Sequence, residues 1–190
     1  MILKLLGFDR PSNAIVIDAI YGDIVAAARQ PRFYRDMDVP DTPLGRYEML
    51  SLHMFLLMHD ARVRRDPAVD AIVQDVTEQF FQDVDHSLRE LGIGDTGVPK
   101  RMKKLARMFY GRCESYGSAL LAQDDDALMQ ALARNIWPDL AADQPPAAVA
   151  DLAGYVIDAF AVIAQATTGD ILKAAPRFAA LATISMRHEA

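Results

Sequence analysis

The chain has 190 residues, 52 % of them apolar, and a formal net charge of −6. That length is enough for one large domain with a substantial core. The acidic balance argues against nonspecific nucleic-acid binding by the chain as a whole, and no DNA partner is expected, although a local basic face is still open. Cys113 is the only cysteine, which excludes an internal disulfide and suits a reducing compartment.

The opening Met1–Phe8 is too short an apolar run for a signal peptide. The longest near-apolar run, Met49–Met58, contains Ser51 and His53 and falls well short of the roughly 20 residues that a bilayer span needs. The expectation is a soluble, cytoplasmic protein, with a peripheral place on the inner membrane as the one membrane role left open.

Helical periodicity dominates and strand signals are weak. After Pro11-Ser12-Asn13, residues Ile17, Ile20, Tyr21, Ile24 and Ala28 repeat at helical spacing. Pro31 and Asp36–Asp41 read as loop. Thr42 then caps a second helix with Pro43 at its first position. This helix runs to about Arg65, is apolar around most of its circumference from Leu50 to Leu57, and is the expected central helix. Pro67 opens a third, with the stripe Val69, Ile72, Val73, Val76, Phe80, Val84, Leu88 and Leu91, ended by Gly92 and Gly94.

A fourth helix starts near Val98-Pro99. Its buried stripe is Met102, Leu105, Ala106, Phe109, Cys113, Tyr116 and Leu120, and Gly111 and Gly117 weaken its second half. Asp124-Asp125-Asp126 starts a fifth and Trp137-Pro138 stops it. The segment Ala141–Ala150 is the best candidate linker, with Pro145-Pro146 before a sixth helix carrying Val149, Leu152, Ala153, Val156, Phe160 and Ile163. Thr168-Gly169 reads as a turn before a short last helix around Ile171, disturbed by Pro176. The pattern predicts a single all-α domain over residues 1–190, a bundle of about six to seven helices.

Catalytic and metal signals are poor. Asp83 and His86 lie one turn apart, but a carboxylate and a histidine make only part of a metal site, so none is expected. His53 and His59 are six residues apart and point to different faces. His53 in an apolar helix reads first as a core histidine bonded to a neighbouring carbonyl. Gly92-Ile-Gly-Asp-Thr-Gly97 follows a helix and matches neither the dinucleotide nor the P-loop spacing. Cys113 sits on a buried stripe, where a thiol is inert. No enzyme and no cofactor are expected.

What stands out is a basic helix. Lys100, Arg101, Lys103, Lys104 and Arg107 place five cations within eight residues of an acidic protein. Lys100, Lys103, Lys104 and Arg107 share an arc of about 100° on the helical wheel. Such a face is either simply solvated or a docking face for RNA phosphates, anionic lipid or an acidic protein segment. The methionines, including Met49, Met54, Met58, Met102 and Met108, read as core filler, and also suit a groove that accepts varied apolar segments.

Several ordered blocks resemble a known family. Phe33-Tyr34, Val39-Pro-Asp-Thr-Pro-Leu-Gly-Arg-Tyr-Glu-Met49 and Leu52-His-Met-Phe-Leu56 are similar to the first conserved block of the ubiquinol–cytochrome c chaperone family. Phe81-Gln-Asp-Val-Asp85, Leu88-Arg-Glu-Leu-Gly-Ile-Gly-Asp95, Val98-Pro-Lys-Arg-Met-Lys-Lys104 and Phe109-Tyr-Gly-Arg112 are similar to the second. The resemblance covers residues 32–120, and the helices of 124–185 match only in character.

The resemblance implies an all-α, non-catalytic assembly chaperone for respiratory complex III, with newly made cytochrome b as client. Mitochondrial members work near the ribosomal exit with a second assembly factor. The lack of a presequence suits a bacterial relative, in which that second factor is in question. On this reading Lys100, Arg101, Lys103, Lys104 and Arg107 contact the partner, whether an acidic loop, the ribosome or an anionic membrane surface. Asp83, Asp85, Arg89, Glu90 and Asp95 orient the loop between the acidic and basic helices. The alternative is a small-molecule or haem-binding bundle, with His53 as ligand and Met49, Met54 or Phe55 as pocket wall.

Overall fold

A computed structural model describes residues 10–139, 147–173, 181 and 184. The fold is all-α, as the sequence predicts, with no strand among the described residues. In chain order the helices are α1 (Arg10–Ala28), α2 (Pro31–Arg35), α3 (Pro43–Arg64), α4 (Pro67–Glu90), α5 (Val98–Ala122), α6 (Asp125–Ile136), α7 (Ala147–Ala164) and α8 (Thr168–Ile171).

Helix ends follow the local chemistry. Thr42 Oγ1 accepts from the Gly45 amide at 3.1 Å, and Pro43 takes the position where no N–H is needed. Asp66 accepts from the Ala68 amide at 2.9 Å and Asp124 from the Ala127 amide at 2.9 Å, starting α4 and α6. α3 ends on Arg65 and α5 on Gln123, both in the left-handed conformation. At the end of α4, Gly92 adopts φ 79°, and the Ile93 amide returns to the Leu88 carbonyl at 3.2 Å. Gly92 is the residue that can hold this conformation without strain.

α3 is the central helix. It packs against α1, α4, α5, α6 and α7, and its residues from Gly45 to Ala61 are buried except for Arg46, Leu50 and Met58. Gly45 is required where the chain enters α3. A Cβ there would lie 1.9 Å from the Pro40 carbonyl oxygen, so the loop before the helix lies directly on its first turn. Apolar residues of α1 to α8 meet in one core cluster, with one aromatic group of Tyr47, Phe80, Phe81 and Phe109 by the first turns of α3 and another of Phe55, His59, Tyr116 and Phe160 further along it.

The structure corrects the sequence reading in four places. Pro31–Arg35 is the short helix α2 rather than loop. Leu91, expected at the end of the buried α4 stripe, lies one residue past the helix and is 58 % exposed. α5 runs unbroken through Gly111 and Gly117. Gly117 is there for packing: a Cβ on it would come within 3.2 Å of His59 Nδ1, so α5 lies close against α3 at that point. Thr168 and Gly169 belong to α8, which Thr167 and Asp170 start with a reciprocal capping box. Of the expected linker, residues 141–146 with Pro145-Pro146 lie outside the described residues, as does Pro176. Residues 147–150 are the first turn of α7.

α7 is long and apolar enough, by length and composition alone, to cross a membrane. Here it packs against α3 and α6, with Leu152, Val156 and Ala159 at 0 % exposure. Beside it, Arg32 of α2 reaches Leu181 and Ile184. Its guanidinium lies 5.2 Å from the Phe33 ring centre and 5.1 Å from that of Tyr155, and donates to the carbonyls of Leu181, at 2.8 Å, and Ile184.

Candidate functional site

The start of α3, the end of α4 and the start of α5 meet at one end of the molecule and leave a groove of about 620 Å³ between them. That lies within the roughly 300–1,000 Å³ of ligand-sized clefts. Its apolar lining comes from all three helices: Leu44, Tyr47 and Leu50 from α3, Val84 and Leu88 from α4, Leu105 and Met108 from α5, with Leu91 and Ile93 from the loop. Leu44 is 48 % exposed and Leu91 58 %. Tyr47 is held in place by donating its hydroxyl to the Leu105 carbonyl at 2.8 Å, a direct tie between α3 and α5.

Four cations border this surface: Arg29 at the end of α1, Arg46 on α3, and Arg101 and Lys104 on α5. Arg46 is engaged by Asp41 at 2.6 Å. Arg101 and Lys104 are one turn apart, in register with Leu105 and Met108, so this stripe of α5 faces the groove. Lys100, Lys103 and Arg107 are exposed and lie outside the lining. The basic cluster is thus divided between a groove margin and an outer face. Among the described residues, none of the five forms a salt bridge.

The residues expected to orient the loop also divide. Arg89 donates to Asp85 at 2.6 Å and to Asp95 across the turn, so this arginine joins the end of α4 to the loop before α5. Asp83 turns away from the loop and accepts from the Tyr21 hydroxyl of α1 at 2.7 Å. Glu90 lies 3.2 Å from His86 one turn back. Asp83 and Glu90 therefore belong to the groove wall rather than to the loop brace.

Two buried polar pairs lie further along α3. His53 is fully buried. Its Nδ1 donates to the Met49 carbonyl at 2.7 Å, since a carbonyl can only accept, and its Nε2 accepts from the Tyr155 hydroxyl at 2.6 Å. Burial lowers its pKa to about 4. With both ring nitrogens engaged, His53 offers no lone pair to a haem iron, and Met49, Met54 and Phe55 are packed core at 0–1 % exposure rather than a pocket wall.

The second pair joins Glu48 to Arg112. Arg112 Nη2 donates to Glu48 Oε1 at 2.6 Å, and Nε lies 2.5 Å from Oε2, with both residues under 9 % exposed. Burial raises the Glu48 carboxyl to about 7 against the opposing pull of Arg112. Cys113, next to it, has a thiol pushed up to about 12 by burial, which makes it unreactive. No group of three or more His, Cys, Asp or Glu side chains suited to a metal ion occurs among the described residues.

The sequence reading did not single out the groove. In the sequence Leu105 reads as part of the core stripe, Leu44 and Arg46 stand out only within a family block, and Arg29 carries no signal. A signal was present in the exposed leucine just after a capping proline, but without α4 and α5 beside it that leucine has no meaning.

The all-α scaffold thus holds an open apolar groove bordered by Arg46, paired with Asp41, and by Arg29, Arg101 and Lys104, which form no ion pair among the described residues. The family model described as ubiquinol–cytochrome C chaperone matches residues 35–178, and the chain belongs to that family. Chaperone membership implies a client protein as partner. A crystal structure of the Cbp3 homolog from Brucella abortus is similar over 92 % of this chain and 94 % of that one, with 52 % identity and a TM-score of 0.80. A comparison with curated proteins finds no match.

Proposed function

We propose that this protein is a non-catalytic assembly chaperone for ubiquinol–cytochrome c reductase that receives newly made cytochrome b at the inner membrane. The observation that carries this reading is the groove among α3, α4 and α5. Its floor is apolar, two leucines stand exposed at its mouth, and of the cations that border it Arg29, Arg101 and Lys104 form no ion pair among the described residues. Family membership and likeness to a Cbp3 homolog support the complex III role.

A newly made membrane segment has apolar surface to shield, and a groove of this kind shields it without chemistry. Burial of apolar side chains supplies attraction at about 25 cal/mol per Å². Arg101 and Lys104 speed encounter and fix orientation more than they add affinity. On this reading the outer face of Lys100, Lys103 and Arg107 meets the ribosome or anionic lipid while the groove holds the client, and the protein works peripheral to the membrane. A second assembly factor, if the cell has one, would bind elsewhere on the surface.

The test is site-specific photocrosslinking in cells with the reactive group at position 104 and a control at Glu114, an exposed position outside the groove lining. Cytochrome b captured from position 104 and not from 114 is the expected result. Capture of other chains only, in a strain that assembles complex III, would overturn the client assignment.

A further inference from the structure

We infer that the segment held in the groove is amphipathic and acidic: apolar side chains that enter between α3, α4 and α5, bordered by carboxylates that meet Arg101, Lys104 and Arg29. This rests on the groove being the client site and goes further by naming the chemistry of its occupant.

The first argument is charge complementarity. Of the acids in the groove wall, Asp41 is paired with Arg46, whereas Asp83 accepts only from the neutral Tyr21 hydroxyl and Glu90 lies beside His86 at the exposed rim. Arg29, Arg101 and Lys104 have no ion pair among the described residues. Setting aside the Arg46–Asp41 pair, three cations at the margin stand against the two carboxylates of Asp83 and Glu90, a local excess of positive charge in a chain whose net charge is −6.

The second argument is the helix dipole. The start of a helix carries partial positive charge, so acidic residues there are stabilising and basic ones unfavourable. α4, α6 and α8 follow this rule with Asp70, Asp125 and Asp126, and Asp170 in their first turns. α1, α2, α3, α5 and α7 have no acid in the first turn, and α5 goes further: Lys100, Arg101, Lys103 and Lys104 crowd its first two turns. That arrangement works against the helix that carries it, and an external carboxylate would relieve it.

The experiment uses the full chain and three fluorescent helical peptides with the same leucine face, flanked by glutamate, by lysine or by serine. Fluorescence anisotropy at low salt should show the glutamate-flanked peptide binding roughly fivefold or more tighter than the lysine-flanked one, an advantage that salt at about 0.5 M removes. The R101E/K104E variant should reverse the order of the two charged peptides while its helicity stays that of the parent. Should that variant fold poorly, the salt series on the parent decides alone.

Equal binding of all three peptides would show an apolar groove indifferent to charge and overturn the inference, as would no binding of any. Binding to vesicles rich in anionic lipid but to no peptide would assign the cations to a membrane and overturn it too. Cytochrome b is absent from this assay, so its outcome is separate from the crosslinking result.

Discussion

Lys104 and Arg112 stand two turns apart on the same helix and live in opposite worlds. Arg112 is 8 % exposed and closed around Glu48 of α3, 64 residues away. Lys104 is exposed at the margin of a groove and has no ion pair in the described chain. The difference separates two uses of charge. A buried cation must be answered inside the protein, because an unpaired charge away from water costs several kcal/mol. Once answered, it fixes how α5 lies on α3. An exposed cation is answered by water at little cost, which leaves it free to meet something else.

The largest effect that tests this contrast comes from the buried side. Arg112→Met leaves the Glu48 carboxylate alone in the core and should cost about 4 kcal/mol, read as a fall in thermal midpoint on the order of 10 °C. The pH dependence has a definite sign. The folded Glu48 pKa is raised above its ordinary value by burial, and more so without Arg112. Protonated Glu48 is therefore the form the fold favours, and its contribution is fully present below about 4.5 and lost as pH rises through about 7 and above. The deficit of Arg112→Met relative to the parent should thus be smaller at pH 5 than at pH 8. A deficit of the same size at both values would mean that lost packing, not stranded charge, is the cause. Glu48→Gln combined with Arg112→Met should recover part of the loss.

His53 gives the next effect, with the opposite sign. Its folded pKa is lowered from 6.5 to about 4, mainly by burial. The stability tied to neutral His53 is present above about 6.5 and is lost as pH falls through about 4, where the ring must charge in the core. The full contribution is on the order of 3 kcal/mol. Denaturant midpoints between pH 7 and pH 4 should fall more steeply for the parent than for His53→Gln. Equal slopes would show that other groups govern acid unfolding.

Gly45→Ala is smaller in charge terms, since it touches none, but it tests the groove wall. A Cβ 1.9 Å from the Pro40 oxygen forces the loop off the first turn of α3, at a cost of about 2 kcal/mol or more. Because Leu44 and Arg46 flank it, the substitution should weaken peptide binding as well as lower the thermal midpoint. Loss of stability with unchanged peptide affinity would detach the groove from the start of α3.

The same contrast explains what could be read from the sequence. Thr42-Pro43, Asp66-Pro67 and Asp124 mark helix starts by contacts within a few residues, so α3, α4 and α6 were legible. α2 was not, because five residues are too few to show a period, although Pro31 is a start signal of the same kind as Pro43 and Pro67. The exposed basic cluster was legible because exposure and charge are local properties of one helix. Its division into Arg101 with Lys104 and Lys100 with Lys103 and Arg107 was not, since that depends on where α3 and α4 lie. In the sequence Arg112 stands out only as the last residue of a family block. Its pairing with Glu48, like that of His53 with Tyr155 across 102 residues, is long-range and leaves no trace in spacing.

The smallest effect on the fold, and the sharpest on the contrast, comes from the outer cations. Lys103→Glu with Arg107→Glu alters two exposed side chains that form no ion pair among the described residues, so stability should stay within about 0.5 kcal/mol of the parent. Affinity for a glutamate-flanked peptide in the groove should fall by no more than about twofold, because these side chains reach it only through the screened field. Association with ribosomes or anionic vesicles, read by co-sedimentation at low salt, should drop strongly, since this face has no apolar floor to compensate. Should Arg101→Glu with Lys104→Glu reduce sedimentation as much and peptide binding no more, the five cations would act as one diffuse patch. If instead each pair of substitutions removes one kind of binding and spares the other, a single helix of this chaperone carries three cation environments: one sealed by Glu48, one that borders the groove, and one turned to the surface on which the client is made.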